Sequence, residues 1–168
     1  MPSRLRRAAL AIPVAWLMQA SGSAGADATS SAAWIRIVAG GGLSLQAPHG
    51  SRFVQGRGAD SLSGTVSGPG FALDLDYGAF SDPLTSVDTF SRVAADETLI
   101  DGRPARMVFA TLTRPAGNRL YFFGLHVPSL APGVQGSLKL TVTAHLRHAR
   151  ELILIRRIVE TIRFEPRQ

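Results

Sequence analysis

Residues 70–83 read GFALDLDYGAFSDP, and this stretch predicts the strand around which the other elements are arranged. Its residues alternate between two sets, a period of two that is typical of a strand with one buried face. The apolar set is Phe71, Leu73, Leu75 and Tyr77, and the other set is Ala72, Asp74 and Asp76. Gly78 and the following Ser-Asp-Pro segment predict turns. The stretch therefore predicts a half-buried strand that presents two carboxylates about 6–7 Å apart on a polar face.

Downstream of this strand, the apolar patterns predict further antiparallel strands and one helix. Asp101-Gly102 is a strong turn pair, so we expect residues 97–113 to form a hairpin. Residues 120–127 are apolar on both faces and predict a central strand, whereas residues 138–144 alternate as a half-buried strand. Apolar residues recur with helical spacing over residues 147–161. These elements predict an α+β fold, an antiparallel-rich sheet packed against a C-terminal amphipathic helix.

The remaining segments predict shorter elements. Short strands are expected at residues 34–38 and 43–47, and another at residues 90–93. Residues 60–64 begin with Asp-Ser, whose side chains accept hydrogen bonds from backbone N–H groups, so they predict either a capped helical turn or an extended loop. No repeat or linker divides the sequence, which predicts a single domain over residues 34–168.

The first 26 residues have the three-part layout of a secretory signal peptide. Arginines at positions 4, 6 and 7 precede an apolar run at residues 8–20, and Ala24-Gly25-Ala26 is an A-x-A cleavage site. A retained membrane anchor is the alternative, but the run contains a proline and is shorter than the roughly 20 apolar residues that a span needs. The sequence therefore predicts a signal peptide over residues 1–26, a flexible N-terminus over residues 27–33, and no stable membrane span after cleavage.

Composition narrows the class of protein and of partner. The chain has no cysteine, which rules out a lipid-anchored cysteine and a disulfide in this chain. The formal net charge of +6 falls to +3 when the three arginines of the predicted signal peptide are removed, and the other arginines are scattered. Scattered charge and export argue against nucleic acid as a partner. We expect a periplasmic or extracellular protein that is not a lipoprotein, with an unknown envelope protein or a small ligand as partner.

Three carboxylates lie in or just after the acidic strand. Asp74, Asp76 and Asp82 could bind a hard cation such as Ca²⁺, which takes several oxygen ligands. The D-x-D-x-D-G loop of calcium sites is missing from this stretch. A solvated face, or pairing with Arg106 across the sheet, accounts for the same carboxylates. The pattern favours this second interpretation, and it predicts neither a metal ligand nor a cofactor.

Asp60 and Ser61 raise the alternative of a nucleophile. The G-x-S-x-G elbow is missing around Ser61, and the sequence places no histidine beside it, so hydrogen bonding in a turn or cap is favoured. His145 and His148 lack a third ligand at a zinc-site spacing. His126 lies in an apolar strand and is predicted to be buried and hydrogen-bonded. No catalytic residue is predicted.

The candidate binding surface combines the acidic strand with the Asp101–Arg103 turn. If this turn and residues 60–64 fold beside residues 78–83, their polar side chains form one concave site. If they do not, the acidic strand is structural. The candidate residues are Asp60, Ser61, Asp74, Asp76, Asp82, Asp101 and Arg103.

Three segments together resemble a known group of proteins. They are residues 43–50 (LSLQAPHG), residues 100–105 (IDGRPA), and a C-terminal helix that runs into residues 159–164 (VETIRF). The combination resembles small exported bacterial proteins of the PsbP/Mog1-like group, in which sheets pack against helices. The resemblance implies an α+β fold and no shared catalytic residue set. We therefore expect a non-enzymatic binding or assembly module of the cell envelope. The alternative is a cation- or substrate-dependent enzyme that uses the Asp60/Ser61 and Asp74/Asp76 region.

Overall fold

The computed structural model describes residues 33–58, 60–84, 90–130 and 137–165. The predicted signal peptide and residues 27–32 of the predicted flexible N-terminus lie outside these ranges. Within them the chain forms ten strands and one helix. The elements are β1 (Trp34–Gly40), β2 (Leu43–Pro48), β3 (Arg52–Gln55), β4 (Ser61–Gly68), β5 (Phe71–Gly78), β6 (Phe90–Ile100), β7 (Arg103–Ala116), β8 (Arg119–Val127), β9 (Lys139–Leu146), α1 (Glu151–Val159) and β10 (Arg163–Phe164).

The strands form two antiparallel sheets. The smaller has the order β1-β2-β10, and the larger has the order β3-β4-β5-β9-β8-β7-β6. The acidic strand is β5, which pairs with β4 along its whole length and with β9 from Asp74 to Gly78. The fold is therefore rich in antiparallel sheet as predicted, while its helix is a minor element of nine residues.

One face of the larger sheet packs against the smaller sheet and α1 to form the core. Its fully buried side chains come from all three parts, for example Leu45 of β2, Phe123 of β8 and Ile155 of α1. The alternation predicted for β5 is confirmed: its buried side chains are Leu73, Leu75 and Tyr77, whereas Asp74 is exposed. Burial of each large apolar side chain stabilises the fold by about 1.5–3 kcal/mol.

The C-terminal helix is shorter than predicted. It covers Glu151–Val159 rather than residues 147–161, because β9 continues to Leu146 and the next four residues make the turn out of the sheet. The predicted phase is confirmed, since Ile155, Ile158 and Val159 are buried while Ile153, off the apolar arc, is 75% exposed.

The helical-turn prediction for residues 60–64 is wrong, and so is the extended-loop alternative. Ser61 begins β4, and its Cα lies opposite Gly78 at the end of β5. The strand sequence SLSGTVSG is dominated by small polar residues and glycine, so the period-two pattern is weak there.

The hairpin prediction around Asp101-Gly102 is confirmed, but the hairpin is longer than expected. Residues 90–93 and 97–100, predicted as two strands, belong to the single strand β6, which pairs with β7 through a register shift between Ser91 and Ala94. Asp101 and Gly102 have φ of 50° and 75°, the left-handed pair of a tight two-residue hairpin turn.

The connection that leaves β5 passes onto the face of the larger sheet opposite the core, which is its second face. In the sheet order, β9, β8 and β7 lie between β5 and β6. Its described part, residues 79–84, ends where Leu84 packs over Gly124: a Cβ at that glycine would lie 2.6 Å from Leu84 Cδ1. At the other end Phe90 stacks on Phe122, with ring centroids 4.6 Å apart.

Candidate functional site

Four of the predicted site residues lie at one end of the larger sheet. Ser61 is opposite Gly78, so Asp60 and Ser61 lie beside the end of β5, and Asp76 is two residues before that end. The chain then turns through Ser81 and brings Asp82 back onto the second face of the sheet. The start of residues 60–64 therefore lies beside residues 78–82, which is one part of the convergence that the sequence left open.

Ser81 and Thr141 fasten this turn to the sheet. The Ser81 hydroxyl is buried, accepts a hydrogen bond from the Gly78 N–H at 3.1 Å and lies 2.9 Å from the Asp76 carbonyl oxygen. The Thr141 hydroxyl, on β9, lies 2.6 Å from the Asp82 carbonyl oxygen. Both hydroxyls thus bind main-chain groups of the turn.

His126 completes a directed hydrogen-bond chain. Its Nδ1 lies 2.9 Å from the Thr141 hydroxyl oxygen. A carbonyl oxygen only accepts, so Thr141 donates its one hydrogen to Asp82 and must accept from Nδ1–H of His126. The direction of these two hydrogen bonds therefore places the proton of the neutral imidazole on Nδ1.

The surroundings of His126 disfavour its protonation. The residue is 6% exposed, as the sequence predicted for a buried, hydrogen-bonded histidine. Burial lowers the pKa of His126 below its ordinary value, and the positive charges of Lys139 and Arg106 lower this pKa further, while the Asp82 carboxylate opposes them. The imidazole is thus held neutral as a structural donor to Thr141.

Asp74 and Asp76 have neighbours other than the predicted arginine. Asp74 accepts a hydrogen bond from the Thr65 hydroxyl at 2.8 Å. Arg106 shares a cross-strand row with Asp76, but β9 and β8 lie between them, which separates the strands by roughly 14 Å. The predicted pairing of Arg106 with β5 is therefore wrong.

Asp101 and Arg103 form a separate cluster around the C-terminus. The Asp101 carboxylate accepts hydrogen bonds from the Phe164 N–H at 3.0 Å and from Arg103 Nη1 at 3.1 Å. Arg103 also lies over the Phe164 ring, 4.8 Å from its centroid, and Arg163 Nε lies 3.7 Å from Asp101. The Asp101–Arg103 turn is thus a clasp for β10 and does not join the acidic end of β5.

The geometry gives the nucleophile and metal hypotheses no support. Ser61 and His126 lie on strands three spacings apart, roughly 14 Å, and the Nδ1 of His126 is already bound to Thr141. In the part of the chain that the structure describes, no three His, Asp or Glu side chains are grouped as a metal ion requires.

A cleft that the sequence did not predict opens where the larger sheet forks. Pairing of β5 with β9 stops at Asp74 and Thr143, although β5 stays paired with β4 as far as Phe71 and β9 stays paired with β8 as far as Leu146. The cleft between the diverging ends has a volume of about 350 Å³. Its lining residues are Gly70, Phe71, Ala72, Arg119, His145, Leu146, Arg147 and Glu151.

The cleft is basic. Arg119 enters from the start of β8 and Arg147 from the turn after β9, and within the described residues neither guanidinium forms an ion pair with a carboxylate. The one acidic side chain, Glu151, accepts a hydrogen bond from the Arg147 N–H at 3.0 Å. No sequence signal locates this cleft, because its residues come from separate segments that only the strand pairing brings together.

Among the described residues, no helix has the length and apolar character needed to cross a membrane. Comparison with protein-family models, curated proteins and solved structures finds no match to the chain. The functional argument therefore depends on the residues and geometry described above.

Proposed function

We propose that the protein is an exported, non-enzymatic binding or assembly module of the cell envelope. The basic, apolar and A-x-A segments of residues 1–26 support export. The resemblance to the PsbP/Mog1-like group stays a prediction and supports the same class of function.

The observation that carries the binding role is the fork between β5 and β9. A solvent-open cleft of about 350 Å³ with two unpaired guanidinium groups among the described side chains is of the size at which ligand sites begin. Both arginines are exposed, so their guanidinium groups are accessible to a ligand from solvent. Their position on two neighbouring strand ends fits a preformed binding site.

The polar groups near the predicted acidic site have structural partners, which weighs against the enzyme alternative. Ser81 and Thr141 bind main-chain groups of the turn, and His126 donates to Thr141. Asp74 accepts from Thr65. A general base or nucleophile at this end would first have to break one of these bonds.

Photo-crosslinking in intact cells tests both parts of the proposal. A photo-reactive amino acid at Ala72, which is exposed and lines the cleft, is compared with one at Asp96, which is exposed on the distant edge strand β6. We expect an adduct from position 72 and none from position 96, with intact-mass measurement detecting either a protein or a small ligand. Equal crosslinking at both positions, or none at position 72, contradicts the binding role.

The same samples test export. We expect the chain purified from cells to begin at Asp27, after cleavage at Ala26. A purified chain that still begins at Met1 contradicts export.

A further inference from the structure

We infer that the cleft between β5 and β9 binds a phosphate group carried on an apolar body. This inference rests on the proposed function, because it names the ligand class for the same cleft. It follows from three features of the cleft: the main chain exposed by the fork, the cationic side chains, and an aromatic wall.

The fork leaves main-chain hydrogen-bonding groups without their usual partner. A continued register would place Leu73 opposite Ala144 and Ala72 opposite His145, but the described pairing ends one residue earlier, at Asp74 and Thr143. Alternate residues of a strand direct N–H and C=O groups to the same neighbour, so both diverging edges present such groups to the gap. Main-chain N–H groups in a concavity are common donors to oxyanions.

The side chains around the gap favour negative charge. Arg119, Arg147 and His145 approach from β8 and from the end of β9, and Glu151 is the one acidic group of the lining. The formal charges of Arg119, Arg147 and Glu151 sum to +1. Because Glu151 is held by the Arg147 N–H, its carboxylate lies beside the main chain of the turn and can orient the segment that carries the Arg147 guanidinium.

The number and directions of these donors favour phosphate over carboxylate. Guanidinium groups bind phosphate and carboxylate in a fork geometry, two N–H groups to two oxygens. Arg119 at the start of β8, Arg147 in the turn after β9, the His145 imidazole and main-chain N–H groups offer donors from several sides of the cleft. A tetrahedral phosphate has enough oxygens to accept from all of these directions, whereas a planar carboxylate does not.

Phe71 supplies an apolar wall. Its ring packs partly against the core and lines the cleft at the start of β5. Leu146 also lines the cleft but is 2% exposed, so the apolar wall is mainly the Phe71 ring. A ligand with an apolar or aromatic body next to its phosphate can contact this wall, so both a soluble phosphomonoester and a phospholipid headgroup fit the chemistry.

Calorimetry on the mature protein tests the inference with defined probes. Phenyl phosphate is compared with inorganic phosphate and with benzoate, and phosphatidylglycerol vesicles are tested by co-sedimentation. We expect phenyl phosphate to bind more tightly than either inorganic phosphate or benzoate. Binding to phenyl phosphate alone identifies a soluble ligand, whereas Arg119-dependent binding to vesicles identifies a headgroup. Equal affinity for benzoate and phenyl phosphate overturns the assignment to phosphate.

Charge-removing variants tie the binding to the cleft. Arg119→Gln and Arg147→Gln should each weaken binding roughly ten- to a hundredfold, the effect of losing hydrogen bonds to a charged group. Arg57→Gln removes the same charge at the opposite end of the sheet and should change affinity less than about twofold. Unchanged binding in both cleft variants, or an equal loss in Arg57→Gln, overturns the inference. If no probe binds while position 72 still crosslinks in cells, the ligand class is wrong and the binding function stands.

Discussion

The hydrogen-bond chain from His126 through Thr141 to Asp82 predicts a specific loss of stability in Thr141→Val. Valine keeps the shape of threonine and removes the hydroxyl, so the variant loses the 2.6 Å bond to the Asp82 carbonyl and the 2.9 Å bond from His126 Nδ1. Asp82 is exposed, and its carbonyl can regain water. His126 is buried, and its Nδ1–H cannot. One unsatisfied buried donor plus one weakened bond corresponds to a loss of about 2 kcal/mol in the free energy of unfolding.

Urea denaturation followed by circular dichroism measures this loss. For a slope of about 2 kcal/mol per molar urea, the midpoint of Thr141→Val should fall by about 1 M with the slope unchanged. Thr143→Val is the matched control, two residues along on the same face of β9, and should stay within about 0.5 kcal/mol of the wild type. A second readout is the ¹⁵N spectrum of the imidazole, in which the neutral wild-type ring should carry its proton on Nδ1. A proton on Nε2, or equal midpoints for the two valine variants, refutes the directed chain.

Three further predictions concern other contacts. Because the pKa of His126 is lower in the folded than in the unfolded chain, the unfolded state takes up the proton first, and the free energy of unfolding should fall as pH decreases below about 6.5. In His126→Asn, the free energy of unfolding should depend less on pH between pH 7 and 5.5. The same pH dependence in this variant and the wild type contradicts the prediction. Asp101→Asn should lower the free energy of unfolding by about 1–2 kcal/mol and speed hydrogen exchange at the Phe164 amide, which the carboxylate binds; unaltered exchange at that amide contradicts the clasp. Gly64→Ala should lower the free energy of unfolding by about 1–3 kcal/mol, because the new Cβ would lie 2.5 Å from the Phe53 ring. An unchanged midpoint of thermal unfolding contradicts the tight packing of β3 on β4.

Elements with a local sequence signal were predicted well. The alternation of β5 identifies its buried face, since consecutive side chains of a strand point to opposite faces. The Asp101-Gly102 turn was identifiable because few residue pairs accept left-handed backbone at both positions. The phase of α1 was also correct, although the helix ends two residues earlier than predicted and its first turn was misplaced. There, the pattern of β9 runs into that of the helix without a strong capping residue: Arg150 occupies the N-cap and makes no side-chain capping bond.

Features that depend on strand pairing were predicted only in part. β4 was missed because Ser, Gly and Thr are weak indicators of a buried face. The proximity of Asp60 and Ser61 to the end of β5 was posed as a question that the sequence could not settle, since it follows from the β4–β5 hairpin. The fork was not predictable at all, because it requires knowing where β5 and β9 stop pairing.

The two ends of β5 differ in how many neighbouring strands they pair with. At its C-terminal end, Gly78 is paired on both sides, with Ser61 of β4 and Lys139 of β9, so the polar groups there are close enough to bind one another and fasten the turn. At its N-terminal end, β5 keeps only the β4 partner, while β9 leads within four residues into a helix that packs on the core face. Polar groups at the fully paired end bind one another, whereas the forked end leaves polar groups facing a cleft. This contrast supports the proposed binding site at the basic start of β5 rather than at the carboxylates nearer its other end.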